Sequence, residues 1–227
     1  MALSQNKLVS ILKSLFNEDE EISKMIVELL LAEERQIDFN EILSAAKRIE
    51  KEEKAESLAV EASLAMEYWK LMLPARTKHQ GSIQWSNRLN RPEPGEKYEV
   101  PPCIAFAFKR LMSEGVWNWK LAVKDYLDEI KEPNQQVTID IVEDLVKNAY
   151  LKRFVSKALL ENICKQHNYP KDADVLIAEL KAGGVISPCI EYSLFSRKIF
   201  EKFIKDFSKT GPLYELNRAL FILELKE

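Results

Sequence analysis

The stretch KDADVLIAELKAGGVISPCIEYSLF, residues 171–195, decides the fold prediction for the second half of the chain. Its apolar residues recur at the spacing of one helix face, with Leu176 and Leu180 inward, and Gly183 follows as a helix-ending residue. The β-branched and aromatic residues grouped around Pro188 are typical of two short strands in a tight hairpin. The stretch therefore predicts a helix followed at once by a hairpin.

Two predicted helices precede this stretch. VTIDIVEDLVKNAYLKRF (137–154) places Ile141 and Leu145 on one face, and SKALLENICKQHN (156–168) begins with a serine that is a favourable N-cap. Helix, short helix, turn, helix and hairpin in this order resemble a winged-helix domain, which is a helix-turn-helix type. The residues that carry the resemblance are ELKAGGVIS and the following YSL, and it covers about residues 137–195.

The resemblance implies specific DNA contacts. In DNA-binding winged helices the third helix enters the major groove and the wing reaches the backbone. The groove-facing candidates implied here are Lys171, Asp172, Asp174, Ala178 and Lys181, and the two acids among them are poor neighbours for phosphates. Basic residues on the flanks either grip phosphates or form the solvated faces of amphipathic helices. These are Lys147, Lys152, Arg153, Lys157, Arg197, Lys198, Lys202 and Lys205.

A second resemblance implies a different role. Helices followed by a winged helix also resemble the scaffold subunits of large cytoplasmic assemblies, in which the winged helix packs against a neighbouring protein. The mixed charge of the third helix suits that role equally well. The stripes IFEKFIKDF (199–207) and LYELNRALFILEL (213–225) predict two more amphipathic helices. They either cover the protein's own core or form a docking or dimer surface.

The first half of the chain also has helical periodicity. Apolar residues from Leu8 to Phe16 recur at i, i+3, i+4 and i+7, and similar stripes follow. Asn17 with a glutamate three residues later predicts a capping box. The charged run KRIEKEEKAE (47–56) is typical of a solvated face, and it leaves open whether one long helix or two helices pass through it.

The linker-like KEPNQQ, residues 131–136, predicts a domain boundary. The predicted fold class is mainly α. A helical bundle domain spans residues 1–132, and a winged-helix-like domain with a small β-hairpin and extra C-terminal helices spans residues 137–227.

A long non-helical stretch, PARTKHQGSIQWSNRLNRPEPGEKYEVPP, interrupts the first domain at residues 74–102. Loops of this length in a compact domain are uncommon unless they are functional or disordered. Trp85 lies among basic residues, the composition of a surface on which RNA or single-stranded bases stack. The alternative is a tryptophan that anchors the loop to the helices beneath it. The basic neighbours are Arg76, Lys78, Arg88 and Arg91.

The net charge of −3 argues against a chain that attracts nucleic acid over its whole surface. The charge is distributed in blocks of about −6, +4, −4 and +3 over residues 1–70, 71–120, 121–150 and 151–227. The positive blocks indicate either phosphate contacts or faces that neutralise the acidic ones.

Several chemistries have no support in the sequence. Neither GxxxxGK nor GxGxxG occurs. Cys164 and His167 share a helix face and Cys189 follows, but a fourth zinc ligand is missing, so a buried thiol and a hydrogen-bonded histidine are expected. Three dispersed cysteines indicate a reducing cytoplasm. No run reaches the ~18 apolar residues of a membrane span.

The sequence therefore predicts a cytoplasmic, non-enzymatic protein with no cofactor, no metal and no membrane contact. The predicted function is binding of DNA or RNA, alone or as a subunit of a nucleoprotein complex. The alternative is a protein-interaction scaffold that docks a protein partner or a second copy through the winged helix and C-terminal helices. The predicted nucleic-acid contacts are Arg76, Lys78, Trp85, Arg88, Arg91, Lys152, Arg153, Lys157, Lys171, Lys181, Arg197 and Lys198.

Overall fold

The computed structural model describes residues 3–74, 95–188 and 211–225. In these ranges the chain is mainly α, as predicted, with two antiparallel sheets of three strands each. The first elements are α1 (Gln5–Phe16), α2 (Glu20–Leu31), β1 (Gln36–Asp38), α3 (Phe39–Ile49), α4 (Glu52–Trp69), β2 (Leu73–Pro74), β3 (Lys97–Glu99), α5 (Pro102–Glu114) and α6 (Trp119–Glu129). The others are α7 (Gln135–Asn148), β4 (Phe154–Ser156), α8 (Lys157–Gln166), α9 (Ala173–Ala182), β5 (Ile186–Pro188), β6 (Leu213–Leu216) and α10 (Ile222–Leu225).

The predicted apolar stripes correspond to buried helix faces. Leu8, Leu12 and Phe16 of α1 are buried, as their spacing predicts. The charged run 47–56 contains the junction of two helices, because α3 ends at Ile49 and α4 begins three residues later. The sequence left that choice open, and the structure decides it.

The predicted capping box at Asn17 is wrong. Asn17 adopts φ 55°, in the left-handed region, and therefore ends α1, while Asp19 precedes α2. A capping box does occur before α3. There the Asp38 carboxylate accepts from the backbone N–H of Glu41 over 2.9 Å, and the Glu41 carboxylate accepts from the backbone N–H of Asp38 over 2.6 Å.

The first sheet corrects the limits of the predicted loop 74–102. Its strand order is β1–β3–β2, with Ile37 opposite Tyr98 and Leu73 opposite Glu99. Tyr98 is buried between two exposed neighbours, which is the alternation of a strand with one covered face. The end of the predicted loop is therefore strand β3 and the start of α5. Residues 75–94 lie outside the described residues.

The second sheet corrects one further prediction. Its order is β4–β6–β5, so the segment Leu213–Leu216, predicted as helix, is the central strand, and all four of its side chains are buried. A strand covered on both faces has no alternating pattern by which the sequence would identify it. Pro188 pairs with Tyr214 at the end of edge strand β5, where a missing N–H is tolerated. The rest of the predicted hairpin, from Cys189 on, lies outside the described residues. The predicted helix at 199–207 lies outside the described residues.

One continuous cluster of buried apolar side chains runs through both predicted domains. Trp117 lies between α5 and α6, and its indole N–H donates to the carbonyl oxygen of Ala219 over 2.9 Å. Trp119 packs edge-on against Phe221, with ring centroids 5.2 Å apart. The division at 131–136 stays a prediction. The structure shows that Ala219 and Phe221, which follow β6, contact tryptophans from the first half of the chain.

The turn after α9 packs against the first half through two glycines. Gly183 lies against the ring of Tyr126, and Gly184 lies against Pro101, so a side chain at either glycine would overlap its neighbour. The N–H of Cys103 also donates to the carbonyl oxygen of Gly183 over 3.1 Å. Gly184 has φ 73°, a region that other residues rarely adopt. The turn therefore requires glycine for both its conformation and its packing.

We expect Gly184→Ala to destabilise the protein more than Gly115→Ala, which is its matched control. Gly115 has φ 74°, but the nearest atom to an added Cβ there is Cδ1 of Leu3 at 3.9 Å. Both substitutions introduce left-handed strain of ~1–2 kcal/mol, and only the first adds the overlap with Pro101. The free energy of unfolding from urea titrations should fall by about 1 kcal/mol for Gly115→Ala and by about 3 kcal/mol for Gly184→Ala. Equal losses would contradict this packing.

Candidate functional site

Three cationic side chains surround the carboxylate of Glu215, and we call Lys70, Arg153, Arg218 and Glu215 the basic cluster. Glu215 lies in the central strand β6, and Arg218 follows that strand. Arg153 directly precedes β4, and Lys70 directly follows α4. The basic cluster therefore joins the end of α4 to the second sheet.

Each cation contacts an oxygen of Glu215. Nζ of Lys70 lies 3.1 Å from Oε2. Arg153 donates from Nε to Oε1 over 2.6 Å, and Arg218 donates to the same oxygen from Nε over 3.1 Å and from Nη2 over 2.9 Å. Nζ of Lys70 also donates to Oγ of Ser187 in β5 over 2.9 Å. The carboxylate is thus held by charge-assisted hydrogen bonds from three separate parts of the chain.

Local backbone geometry brings these side chains together. Lys70 ends α4 with φ 62°, a left-handed residue that turns the chain out of the helix. The pairing of Phe154 with Glu215 sets Arg153 beside the carboxylate. The side-chain amide of Asn217 donates to the carbonyl oxygen of Lys70 over 3.1 Å and to one in the α9–β5 turn over 2.9 Å. This amide fixes the distance between α4 and the sheet.

Among the described residues, the basic cluster contains more positive than negative side chains. Its side chains are 10% (Glu215), 14% (Lys70), 15% (Arg218) and 34% (Arg153) exposed, and three cations face one carboxylate. Burial opposes ionisation of Glu215, but the three cations outweigh it and hold its pKa below the ordinary 4.5. Burial also lowers the pKa of Lys70. Because the cluster is partly shielded from water, its surplus charge attracts an anion more strongly than an exposed surface does.

The aromatic ring of Tyr68 borders the basic cluster. Tyr68 is 58% exposed, and Cζ of Arg218 lies 4.3 Å from its ring centroid. The ring of Trp69 meets it at 84° with centroids 5.0 Å apart, and the Trp69 indole N–H donates to Oε1 of Glu18 over 2.7 Å. An exposed aromatic surface thus lies beside the surplus positive charge. This combination suits a ligand that has both a flat ring and an anionic group.

The structure places few of the predicted nucleic-acid contacts in this cluster. Arg153 belongs to it, and Lys152, which is exposed, precedes Arg153 in the same turn. Lys181 is exposed on α9 and does not pair with Glu215. Seven predicted contacts lie outside the described residues: Arg76, Lys78, Trp85, Arg88, Arg91, Arg197 and Lys198.

Two other predicted contacts are neutralised within the chain. Lys171 pairs with Glu132 and, over 3.0 Å, with Glu179. Nζ of Lys157 lies 2.6 Å from a carboxylate oxygen of Asp174 on α9. Lys157 joins α8 to α9, and Lys171 joins α9 to the connection between α6 and α7, so both lysines are paired with acids. Of the two acids that the resemblance placed near phosphates, Asp174 pairs with Lys157, and Asp172 caps α9 by accepting from the backbone N–H of Asp174 over 2.8 Å.

Sequence reasoning missed Lys70, Arg218, Tyr68 and Glu215. Glu215 and Arg218 are three residues apart, which on the predicted helix would have been an ordinary surface pair. Lys70 and Tyr68 belong to α4 and its end, more than half the chain away from β6. The spacing of charges along the chain contains no signal for a pairing that depends on sheet order.

Within the described ranges, no three His, Cys, Asp or Glu side chains lie close enough together to bind one metal ion. Nε2 of His167 lies 2.8 Å from a carboxylate oxygen of Asp144. Cys164 is buried, and burial raises the pKa of its thiol to about 11, while Cys189 lies outside the described residues. Of the helices described, none has both the length and the apolar character to cross a membrane.

An open groove lies between α5 and α6. It is lined mainly by charged side chains, and its central cation, Arg110, pairs with two of the acids. The guanidinium of Arg110 donates to both carboxylate oxygens of Asp125, over 2.8 and 2.7 Å. In this groove two carboxylates face one arginine, whereas in the basic cluster three cations face one carboxylate, so the groove is the weaker candidate for an anion.

Comparison with known proteins gives one match. A protein-family model matches residues 6–226, nearly the whole chain, and its description states no activity, substrate or partner. No curated protein and no solved structure matches the chain.

We expect Glu215→Gln to destabilise the protein by about 3–5 kcal/mol near neutral pH, because it leaves three shielded cations without their counter-charge. The control Glu52→Gln removes a carboxylate that pairs with Lys47 over 3.2 Å in full solvent, and it should cost less than about 1 kcal/mol. Urea titrations give both values.

The pH dependence adds an independent check on Glu215. Its native pKa is lowered, so its contribution is complete above the ordinary value of 4.5 and is lost as pH falls through the native value. The difference in unfolding free energy between the natural protein and Glu215→Gln should therefore shrink as pH falls below 4.5. A difference that stays constant with pH would contradict this account of the carboxylate.

Proposed function

The chain belongs, over residues 6–226, to the family whose model it matches, and we propose that this family member binds nucleic acid without catalysing a reaction. The observation that carries the proposal is the surplus positive charge of the basic cluster beside the exposed ring of Tyr68. A nucleic-acid backbone supplies regularly spaced phosphates, and arginine is the side chain best suited to bind them. Contacts of this kind give affinity with little sequence preference.

The proposal includes a winged-helix arrangement for the second half. Its support is the element order α7, β4, α8, α9, β5, β6 and the pairing of all three strands in one sheet. In the winged-helix family the third helix ends in a glycine-bearing turn and the next strand enters the wing. Here α9 ends at Gly183 and Gly184, and β5 begins at Ile186.

The proposed contacts do not depend on insertion of α9 into a groove. The exposed face of α9 carries Asp174, Val175 and Ala178, and Lys181 is its exposed cation. That face offers few partners for base edges or phosphates. The basic cluster is therefore the proposed contact, and the protein binds the backbone rather than a base sequence.

Two predicted basic segments adjoin the basic cluster along the chain. The segment 75–94 begins five residues after Lys70, and the segment 189–210 connects β5, which contains Ser187, to β6, which contains Glu215. Arg76, Lys78, Arg197 and Lys198 belong to these segments, and we retain them in the proposal as additional phosphate contacts. The proposed location is the cytoplasm, because Cys103 and Cys164 are free thiols.

The second candidate function is a scaffold that docks another protein. It is favoured by one observation, the small apolar side chains Val175, Ala178 and Ala182 on the exposed face of α9. Such a face suits close approach of another helix better than it suits DNA. The two functions separate in a binding assay at low salt, since a scaffold without nucleic-acid contact binds neither duplex nor single strand.

We expect the protein to bind labelled oligonucleotides with an affinity that falls steeply as salt rises, as phosphate contacts require. Arg153→Gln should weaken binding by about tenfold at fixed salt and reduce the slope of log K against log salt by about one. The matched control is Arg35→Gln, which removes the same charge from an exposed pair with Glu129 at 2.8 Å and should change neither quantity. Fluorescence anisotropy titrations measure both.

The outcomes of this experiment are distinct. No binding of the natural protein to any probe at low salt removes the nucleic-acid function and leaves the scaffold. Binding that Arg153→Gln and Arg35→Gln weaken equally shows a non-specific charge effect and rejects the basic cluster. The contribution of the loop is tested by exchanging its four basic residues for serine, and unchanged binding of that variant would reject them as contacts. They are Arg76, Lys78, Arg88 and Arg91.

A further inference from the structure

Tyr68 is a large aromatic side chain on the exposed face of α4. It lies in the last turn of α4, is 58% exposed, and follows the partly exposed Leu64 by one helical turn. Among the described residues its hydroxyl group has no hydrogen-bond partner, so no polar contact explains its position. What holds the ring is the stacked guanidinium of Arg218 and the edge contact with Trp69.

The guanidinium of Arg218 is fixed at two sides. Nε and Nη2 donate to Oε1 of Glu215 over 3.1 and 2.9 Å, while Cζ lies 4.3 Å from the Tyr68 ring centroid. Because the Arg218 side chain is only 15% exposed, it has little freedom to lose when a ligand binds. The ring and the guanidinium form a stacked platform that exists before any ligand arrives.

The platform stands next to the cations that are able to hold a phosphate. Arg153 and Arg218 share one oxygen of Glu215, so their head groups are neighbours, and Arg153 is the more exposed of the two at 34%. A nucleotide combines a flat base with a phosphate one sugar away. Its two parts match an aromatic platform beside a cationic cluster.

We propose that the basic cluster and Tyr68 form a site for single-stranded nucleic acid, in which one unpaired base stacks on Tyr68 while the adjoining phosphate is held by Arg153 and Arg218. This rests on the proposed function and narrows its ligand. In a duplex the base faces are already stacked on one another, so Tyr68 has no base to receive and the phosphates alone remain. Every base has a π-face, so the site accepts all four bases.

The test compares a labelled oligothymidylate with a duplex of equal length by fluorescence anisotropy. Tyr68→Leu removes the ring and keeps an apolar side chain, and Tyr68→Phe keeps the ring. We expect Tyr68→Leu to weaken single-strand binding by about tenfold or more and duplex binding by less than about twofold. Tyr68→Phe should bind like the natural protein, and so should the control Leu64→Ser, which changes the same exposed helix face.

The salt dependence distinguishes stacking from a loss of charge or of structure. Stacking involves no counterion, so Tyr68→Leu should keep the salt slope of the natural protein while Arg153→Gln lowers it. The thermal midpoints of all variants are measured first, and an exposed ring should change them little.

The outcomes separate this inference from the function on which it rests. If the natural protein binds neither probe, both fail. If it binds duplex and single strand, and Tyr68→Leu leaves both unchanged or weakens both equally, the basic cluster contacts phosphate but the stacking site is rejected. Equal losses for Tyr68→Leu and Tyr68→Phe would also reject stacking, because the ring is retained in the second variant.

Discussion

The carboxylate of Glu215 is the group on which the rest of the structure depends. It lies on the central strand of the second sheet, where an unpaired charge would be strongly destabilising. Its partners come from the end of α4, from the turn before β4 and from the turn after β6, so its ionised form requires all three to be in place. Folding of the sheet and docking of α4 are therefore coupled through one side chain.

Asn217, a neutral residue next to these ion pairs, fixes the geometry around them through hydrogen bonds. The side-chain amide of Asn217 donates to the carbonyl oxygen of Lys70 and to that of Gly184, which joins the end of α4 to the turn after α9. Its carbonyl oxygen also accepts from the backbone N–H of Leu220 over 3.1 Å. Charged groups attract over a distance, whereas an amide with three short contacts fixes geometry. The two residues together explain how the C-terminal segment connects the halves of the chain.

The sequence predicts the elements of this fold better than their arrangement. Amphipathic spacing identifies α1 and the helix within 171–195, because each buries one face. It fails at Leu213–Leu216, where a strand is covered on both faces and no period distinguishes it from a helix. The sequence does not identify the basic cluster either, for a related reason. Arg153 is one of many basic residues that the sequence predicts as contacts. Its partner Glu215 is identified only by the register of β4 with β6.

The arrangement of the elements also decides which basic residues are paired one to one with an acid. A lysine that forms an ion pair with a single acid, such as Lys157 with Asp174, attracts a phosphate only weakly. This holds even where its neighbours in the sequence are basic. In the basic cluster one carboxylate is shared by three cations, so within the described residues its charge neutralises only one of them. The contacts of Glu215 with three cations thus give this part of the described structure its excess of positive side chains. The proposed anion site and the ion pairs that stabilise the fold are the same group of side chains, so the effect of a substitution on binding must be compared with its effect on stability.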